Sequence, residues 1–450
     1  MDIKDCSKGI YHKLKEYAKS DYYPFHMPGH KRRNMEFINP YEIDITEIEG
    51  FDDLHHPEPD GLLTLAQQEA ADIYSTKKSF FLVNGSSAGI LAAICASVKK
   101  DGTLLMAKNC HKSAYHATYL REINTQYLLP DWIEGWECFG QVRPEALEEK
   151  LKNTPNIQAF IMVSPTYEGV ISDIESIANI CHKYQVLLIV DEAHGAHLNF
   201  GLQWPKSALE YGADMVIQSL HKTLPSLTQT AILHVGNDLV DCDKIKFFLD
   251  IFQSSSPSYL LMASIQECIR LMDEKGTELF NVYWSNLQEL RTKLRRLKNL
   301  KLLEQDCFDD SKIVIGTFGI GWNARKLYEK LLTDYHLQAE MATENYVILM
   351  TTVNDSKEGF DRLADALYQI DNKLIGYHSK EQKKSFDFSD CIGKKSVSYI
   401  YTYPPGIPIL VPGEKITKES IEKIQKYLDS EIKVHGLTED GKIQWEEFIF

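Results

Sequence analysis

The chain has 450 residues, 44% apolar and 25% charged, the balance of a soluble globular protein long enough for two or three folded units. Its net charge of −15, with no basic run beyond short pieces such as residues 31–33, argues against nucleic acid or an anionic membrane as partner. Nine scattered cysteines without C-x-x-C spacing read as reduced thiols, which excludes a disulfide framework or a zinc site. The first residues lack the apolar core of a signal peptide. The longest apolar stretch, 80–98, is interrupted by Asn84, Gly85, Ser86 and Ser87, so no membrane span is expected and the cytoplasm is the expected location.

In chain order, residues 1–58 open with a helical pattern over 10–19 and then become irregular. Y-Y-P-F-H-M-P-G-H-K-R-R (22–33) holds two prolines and a glycine, which forbid a regular element and suit a loop over a site. From 59 to 265, short apolar runs alternate with helical patterns. Strands are predicted over 80–83, 103–106, 159–163, 186–190, 215–217 and 230–235, and helices over 65–75, 88–98, 144–151 and 174–184. Non-alternating Val/Ile/Leu strands separated by helices imply a mainly parallel sheet covered on both faces, which binds ligands beyond the carboxyl ends of its strands. A long helical pattern over about 262–300 connects this unit, at residues 266–300, to a smaller α+β domain over 301–450. That domain has predicted strands near 312–318, 346–352 and 397–401, and helices near 324–333, 357–371 and 417–428. Residues 403–414 (Y-P-P-G-I-P-I-L-V-P-G-E) read as a rigid proline-rich loop incompatible with strand or helix.

The polar clusters sit at predicted strand ends. N-G-S-S-A-G (84–89) joins a strand to a helix and presents backbone N–H groups and the hydroxyls of Ser86 and Ser87. It suits one phosphate, or is simply a helix cap, and lacks the nucleotide-loop lysine and the three-glycine dinucleotide fingerprint. His111, in N-C-H-K-S-A-Y-H (109–116), can stack on a planar ring, donate a proton or cap a helix. Asp191 ends an apolar run and needs a partner there, such as a protonated ring nitrogen; an Asp–His–His metal set in D-E-A-H-G-A-H is the rival reading. Lys222, in S-L-H-K-T-L (219–224), comes just after the apolar run 213–217. Alone it would be a surface charge. An anion cradle, a ring neighbour, a buried carboxylate and a lysine together are what pyridoxal 5′-phosphate (PLP) requires.

Longer stretches carry a resemblance: F-H-M-P-G-H-K (25–31), D-I-T-E (44–47), D-D-L-H-H-P (52–57), F-L-V-N-G-S-S-A-G (81–89), H-K-S (111–113), V-S-P-T-Y-E-G (163–169), V-D-E-A-H-G-A-H (190–197), G-A-D-M-V-I-Q-S-L-H-K-T-L (212–224), S-S-P-S-Y (255–259) and Y-P-P-G-I-P (403–408). In these the chain resembles the Orn/Lys/Arg decarboxylase family of PLP enzymes, in a short form without the N-terminal wing domain. The resemblance implies the PLP-dependent transferase fold (fold type I): a mainly parallel seven-stranded sheet with helices on both faces, residues 59–265, and a smaller C-terminal α+β domain. It implies that Lys222 bonds the cofactor aldehyde, Asp191 pairs with the pyridine nitrogen, His111 stacks on the ring and His194 lies near the phenolic oxygen. Ser86, Ser87, Ala88, Ser219 and His221 would surround the phosphate and Thr166 the ring edge. It further implies a homodimer or dimer-based oligomer with the active site at the interface, where Ser255 or Ser256 reaches the neighbouring subunit's cofactor and the 25–31 loop covers the entrance.

The implied activity is α-decarboxylation of a small cationic amino acid, arginine first and lysine or ornithine next, to the amine and CO2 in polyamine biosynthesis. Glu340, Glu344 and Glu47 are the candidate acids for the substrate's cation. Two stretches depart from the family pattern: E-P-D-G (58–61), with an inserted proline, and residues 124–140. Both bear on the substrate side. The rivals are another fold-type-I reaction, such as transamination or a lyase step, and a catalytically silent regulatory protein. An aminotransferase wants an arginine for the substrate carboxylate, and Arg121 and Arg143 sit in no such motif. A silent relative has no need of both Lys222 and Asp191.

Overall fold

The computed structural model describes residues 17–33, 40–45, 48, 51–374, 388–402, 406–429, 432–438 and 441–445. The helical pattern over 10–19 falls mostly outside these residues, and Glu47 falls outside them entirely.

A short strand β1 (Tyr23–Phe25) precedes helix α1 (Leu62–Ile73). Then come β2 (Lys78–Leu82), α2 (Gly85–Ser97), β3 (Thr103–Ala107), α3 (Lys112–Arg121) and β4 (Asn124–Leu128). A hairpin of β5 (Trp132–Ile133) and β6 (Cys138–Phe139) leads into α4 (Pro144–Asn153), β7 (Ile157–Val163), α5 (Ile174–Lys183) and β8 (Leu187–Asp191). The large unit finishes with β9 (Met215–Gln218), the one-turn α6 (Leu220–Thr223), β10 (Ala231–Val235) and α7 (Cys242–Phe252).

Seven strands form one sheet in the order β2-β10-β9-β8-β7-β3-β4, parallel throughout except that β10 runs against both β2 and β9. Both faces are buried. Along β2, Phe80 and Leu82 enter one core with Ile94, Ala117 and Ile177, whereas Phe81 and Val83 enter the other with Ala66, Ala70 and Ile265. Strand periodicity of two sends alternate side chains to opposite faces, and helices cover each, which is why these strands read as unbroken apolar runs.

The connector is a single helix, α8 (Tyr259–Leu294), of 36 residues. Met262, Ile265, Ile269, Met272, Phe280, Tyr283, Leu287, Leu290 and Leu294 form its buried stripe at helical spacing. Beyond it lie β11 (Lys301–Leu302), β12 (Lys312–Gly316), α9 (Ala324–Tyr335), β13 (Leu337–Ala339), β14 (Met341–Ala342), β15 (Tyr346–Met350) and α10 (Lys357–Lys373). A four-stranded sheet of order β11-β12-β15-β14 shares its core with α8 through Ile313, Ile315 and Leu349. The last segment holds β16 (Ile400–Thr402), β17 (Pro408–Leu410), α11 (Lys418–Asp429) and β18 (Val434–His435), a three-stranded sheet with its own core around Ile400, Leu410, Ile416 and Ile424.

The proline-rich stretch differs from its sequence reading. Residues 403–405 lie outside the described residues, but Pro408–Leu410 forms β17 against β16. Pro408 is the first residue of the strand, where a missing N–H is tolerated, and the pairing carries an irregularity beside it.

The N-terminal arm is not a free loop. β1 pairs in parallel with β13, Tyr23 opposite Leu337 and Phe25 opposite Ala339. The buried Lys31 donates from Nζ to the carbonyls of Pro24 (3.0 Å) and Met350 (2.7 Å), so the arm is tied to the second sheet.

Candidate active site

The register of the large sheet sets the site. Asp191, the last residue of β8, stands opposite Val163 of β7 and Ile217 of β9, so the chain leaves three neighbouring parallel strands at one level. After β9 the chain turns through Ser219 into α6, which carries Lys222. The turn after β8 carries His194. Lys222 Nζ lies 3.0 Å from His194 Nε2. Lys222 is on a helical turn and is half-buried. Burial pushes its ammonium toward the neutral amine, Lys312 adds to this, and Asp191 and Glu340 oppose it.

Asp191 is buried, and its side chain accepts a hydrogen bond from the Ala193 N–H at 3.1 Å. Burial raises its carboxyl above the usual range, against the pull of Lys222. No lysine, arginine or histidine lies within ion-pair distance of it among the described residues. Such a carboxylate is poised for a cationic partner.

The three histidines are held neutral. Burial, reinforced by Lys222, brings His111 down to about 3, and its Nδ1 lies 2.9 Å from Ser113 Oγ at the start of α3. Burial brings His221 down to about 4, and its Nδ1 donates to the Thr230 carbonyl at 2.8 Å. His194 is pushed well below the ordinary value by burial and then by Lys222.

A pocket of 280 Å³ opens over these groups and is lined by Ser86, His111, Thr166, Asp191, His194, His221 and Lys222. The structure thus gathers seven of the sequence-selected residues. Ser219 is fully buried beside them; Ala88 is buried in the first turn of α2; Ser87 is exposed. Ser255 and Ser256 are exposed and are not among the lining residues. Of the three candidate acids, Glu340 lines the pocket, whereas Glu344 pairs with Lys426 at 3.2 Å. Asn109, Tyr167, Glu168 and Phe139 line it as well and were not singled out from the sequence. Tyr167 follows Thr166 in a motif already noticed; its ring meets that of His194 edge-on at 4.6 Å and its hydroxyl donates to Glu340 at 2.6 Å. The Asp–His–His alternative does not converge, because His197 turns to Asp309 at 3.1 Å, and among the described residues no group of three ligating side chains is placed to hold a metal.

The residues fit PLP by a direct structural test. Ser219 Oγ, His194 Nδ1 and Asn109 Oδ1 are buried polar atoms without a hydrogen-bond partner among the described residues. Such atoms are rare in a folded protein and call for a ligand. At the start of α2, Asn84 gives no cap; its Oδ1 instead accepts from the Ser254 N–H at 3.1 Å, which leaves the first-turn N–H groups open beside Ser86. Gly85 has φ +74, a left-handed conformation that favours glycine and makes the tight turn from β2 into α2. Donors for a phosphate, a buried acid for a ring nitrogen, a histidine ring and an amine with a lowered pKa are all present.

Comparison with known proteins agrees. Residues 9–371 match the Orn/Lys/Arg decarboxylase major domain and residues 370–436 match the Orn/Lys/Arg decarboxylase C-terminal domain. The chain is 30% identical to the uncharacterised protein YaaO of Bacillus subtilis, over 95% of each chain. It is 28% identical to an arginine decarboxylase of the same organism, again over 95% of each. Among solved structures it resembles the lysine decarboxylase LdcF of Francisella novicida with a TM-score of 0.74 and 19% identity, over 96% of this chain and 80% of the other, a likeness of fold.

Proposed function

The chain belongs to the Orn/Lys/Arg decarboxylase family, and from that premise we propose that it removes the α-carboxyl group of arginine, with lysine and ornithine next in preference, in polyamine biosynthesis. It is a PLP-dependent amino-acid decarboxylase; the substrate and the residue roles are the proposal. The observation that carries it is the Lys222–His194–Asp191 arrangement: a half-buried amine whose charge is disfavoured by its surroundings, 3.0 Å from a neutral imidazole and close to a buried carboxylate without an ion-pair partner among the described residues. The similarity to arginine decarboxylases over nearly the whole chain favours arginine as first choice.

When bound, PLP supplies an electron sink for the pair of electrons left at Cα as CO2 departs. In the proposed division of labour Lys222 would offer to the cofactor aldehyde an amine that burial shifts toward the uncharged form. Asp191 holds a proton on the ring nitrogen and thereby keeps the ring electron-withdrawing. His111 packs on the ring and, being neutral, adds no charge to it. The open N–H groups of α2, with Ser86, Ser219 and His221, receive the phosphate. Because the His221 Nδ1 proton is committed to Thr230, its Nε2 must take up a proton to donate there. The Lys222–His194 pair delivers the proton that replaces the carboxylate at Cα, so one amino acid and one proton give one amine and one CO2. Burial excludes water from that proton transfer.

A homodimer with the site near its interface is part of the same reading, in which exposed Ser255 and Ser256 serve the neighbouring subunit's cofactor. Among the described residues no helix is long and apolar enough to cross a membrane, in keeping with a cytoplasmic enzyme. The test is CO2 release from purified protein supplied with PLP and arginine, lysine or ornithine in turn. Release from arginine with stoichiometric agmatine supports the reading; an oxo-acid in place of amine, or no product from any of the three, contradicts it.

A further inference from the structure

The pocket over Lys222 does not end at its own floor. A second cavity of 60 Å³ adjoins it, and Phe139, Glu168 and Ile407 line both. The outer wall of the second cavity comes from the β5–β6 hairpin, within residues 124–140, the stretch that departs from the family pattern. Glu168 therefore stands at the seam of the two spaces.

Its environment is unusual for an acid. Glu168 is 6% exposed, and no lysine, arginine or histidine lies within ion-pair distance of it among the described residues. The Tyr346 hydroxyl donates to its Oε1 at 2.8 Å. Burial raises its carboxyl above the usual range, against these hydroxyl contacts. Of the nearby lysines, Lys423 also lines the second cavity. Lys426 pairs with Glu137 and Glu344, and Lys423 lies over the rings of Trp132 and Phe139 at 5.1 and 5.6 Å. Glu340, the other acid in the pocket, has both oxygens occupied by neutral donors: Tyr167 donates to its Oε1 at 2.6 Å and the Met27 N–H to its Oε2 at 2.9 Å. Of the two acids, Glu168 alone also lines the second cavity.

We propose that Glu168 is the specificity-determining acid that receives the distal cation of the substrate's side chain, which passes between Phe139 and Ile407. A buried carboxylate without a counter-ion gains most from a ligand that brings one, and a neutral isostere leaves it unpaired. The two cavities in series suit a long side chain ending in a guanidinium or ammonium group. The assignment rests on the decarboxylase reading above.

The test uses the holoenzyme and compares kcat/KM for CO2 release from arginine and from its neutral isostere citrulline. In Glu168→Gln the ratio of arginine to citrulline should fall about 10²-fold, the scale of losing one partner of a buried charge pair. A second variant, Phe139→Trp, narrows the passage from the hairpin side and should lower arginine relative to ornithine at least 10-fold. A Glu168→Gln enzyme that keeps the wild-type ratio overturns the assignment. Should Glu168→Gln not fold, Phe139→Trp decides: an unchanged arginine-to-ornithine ratio overturns the assignment and a shifted one supports it. Wild-type holoenzyme that decarboxylates none of the basic amino acids overturns the underlying reading instead, which keeps the two failures apart.

Discussion

Replacing Gly29 by alanine should disable the enzyme through its backbone. Gly29 sits in the arm between β1 and Lys31, where its N–H donates to the His221 carbonyl at 2.7 Å and its own carbonyl accepts from Thr352 Oγ1 at 2.7 Å. It thereby joins the second sheet to the turn that carries Lys222. A Cβ at this position would lie 2.6 Å from the Leu224 oxygen and 3.0 Å from the Leu224 nitrogen. These are backbone atoms with no rotamer to yield, so arm and turn must separate by roughly 0.8 Å to reach ordinary contact. Overpacking of this kind costs about 1–3 kcal/mol. Weakening two hydrogen bonds adds about 1 kcal/mol each. Together these amount to about 3–5 kcal/mol. A shift of that size at the Lys222 turn should also lower kcat at least ~10-fold, since misplacing reacting groups by about 1 Å costs around 10²-fold. Thermal unfolding and CO2 release of Gly29→Ala measure both effects. Gly276→Ala is the control: its Cβ would meet Phe200 at 3.6 Å inside helix α8, an ordinary contact, and should stabilise by up to about 1 kcal/mol. A Gly29→Ala protein with wild-type stability and turnover would refute the coupling of arm and turn.

Two further predictions concern charge. His55 Nδ1 faces Asp250 Oδ1 at 2.9 Å and its Nε2 faces the Ser254 carbonyl at 2.7 Å, so both nitrogens must carry protons; these contacts and the nearby Asp53 raise its pKa above 6.5 despite burial. With a raised folded-state value, this stabilisation is complete below 6.5 and lost as pH rises through the folded-state pKa. The melting temperature of wild type should therefore fall more between neutral and alkaline pH than that of His55→Ala, and parallel profiles would contradict it. Asp309 is fully buried between Lys312 Nζ at 2.8 Å and His197 Nε2 at 3.1 Å, and these partners hold its carboxyl far below the usual range. Asp309→Asn strands a buried lysine and should cost about 3–5 kcal/mol in urea unfolding, whereas a cost under about 1 kcal/mol would show the network is not paired as described.

What could be read beforehand followed from local rules. Six strands of the large sheet showed as apolar runs because both of their faces are buried. The seventh, β4, did not: N-T-Q-Y-L is the edge strand opposite β2, half-buried along most of its length, and its polar residues hide it. The antiparallel direction of β10 left no trace either, since a strand buried on both faces has the same composition in either direction. Asp191 was legible because a charge directly after an apolar run is conspicuous, and Lys222 only in company with Asp191, the 84–89 turn and His111. Glu168 was not, although it lies in a noticed motif: its significance comes from Tyr346 and from the junction of two cavities, both set by residues far along the chain. The sequence reads the arm as a cover for the site entrance; its anchorage by pairing with β13, more than 300 positions later, is encoded in no local pattern.

The account turns on which lysine holds the cofactor. Borohydride reduction of the PLP-loaded protein, followed by proteolysis and mass spectrometry, fixes the pyridoxyl group where it is attached. The pyridoxyl group should be found on the peptide containing Lys222, with the visible absorption band lost on reduction and absent from Lys222→Ala. A pyridoxyl group on another residue, such as Lys31 or Lys312, or a Lys222→Ala protein that keeps both band and activity, would contradict the site proposed here.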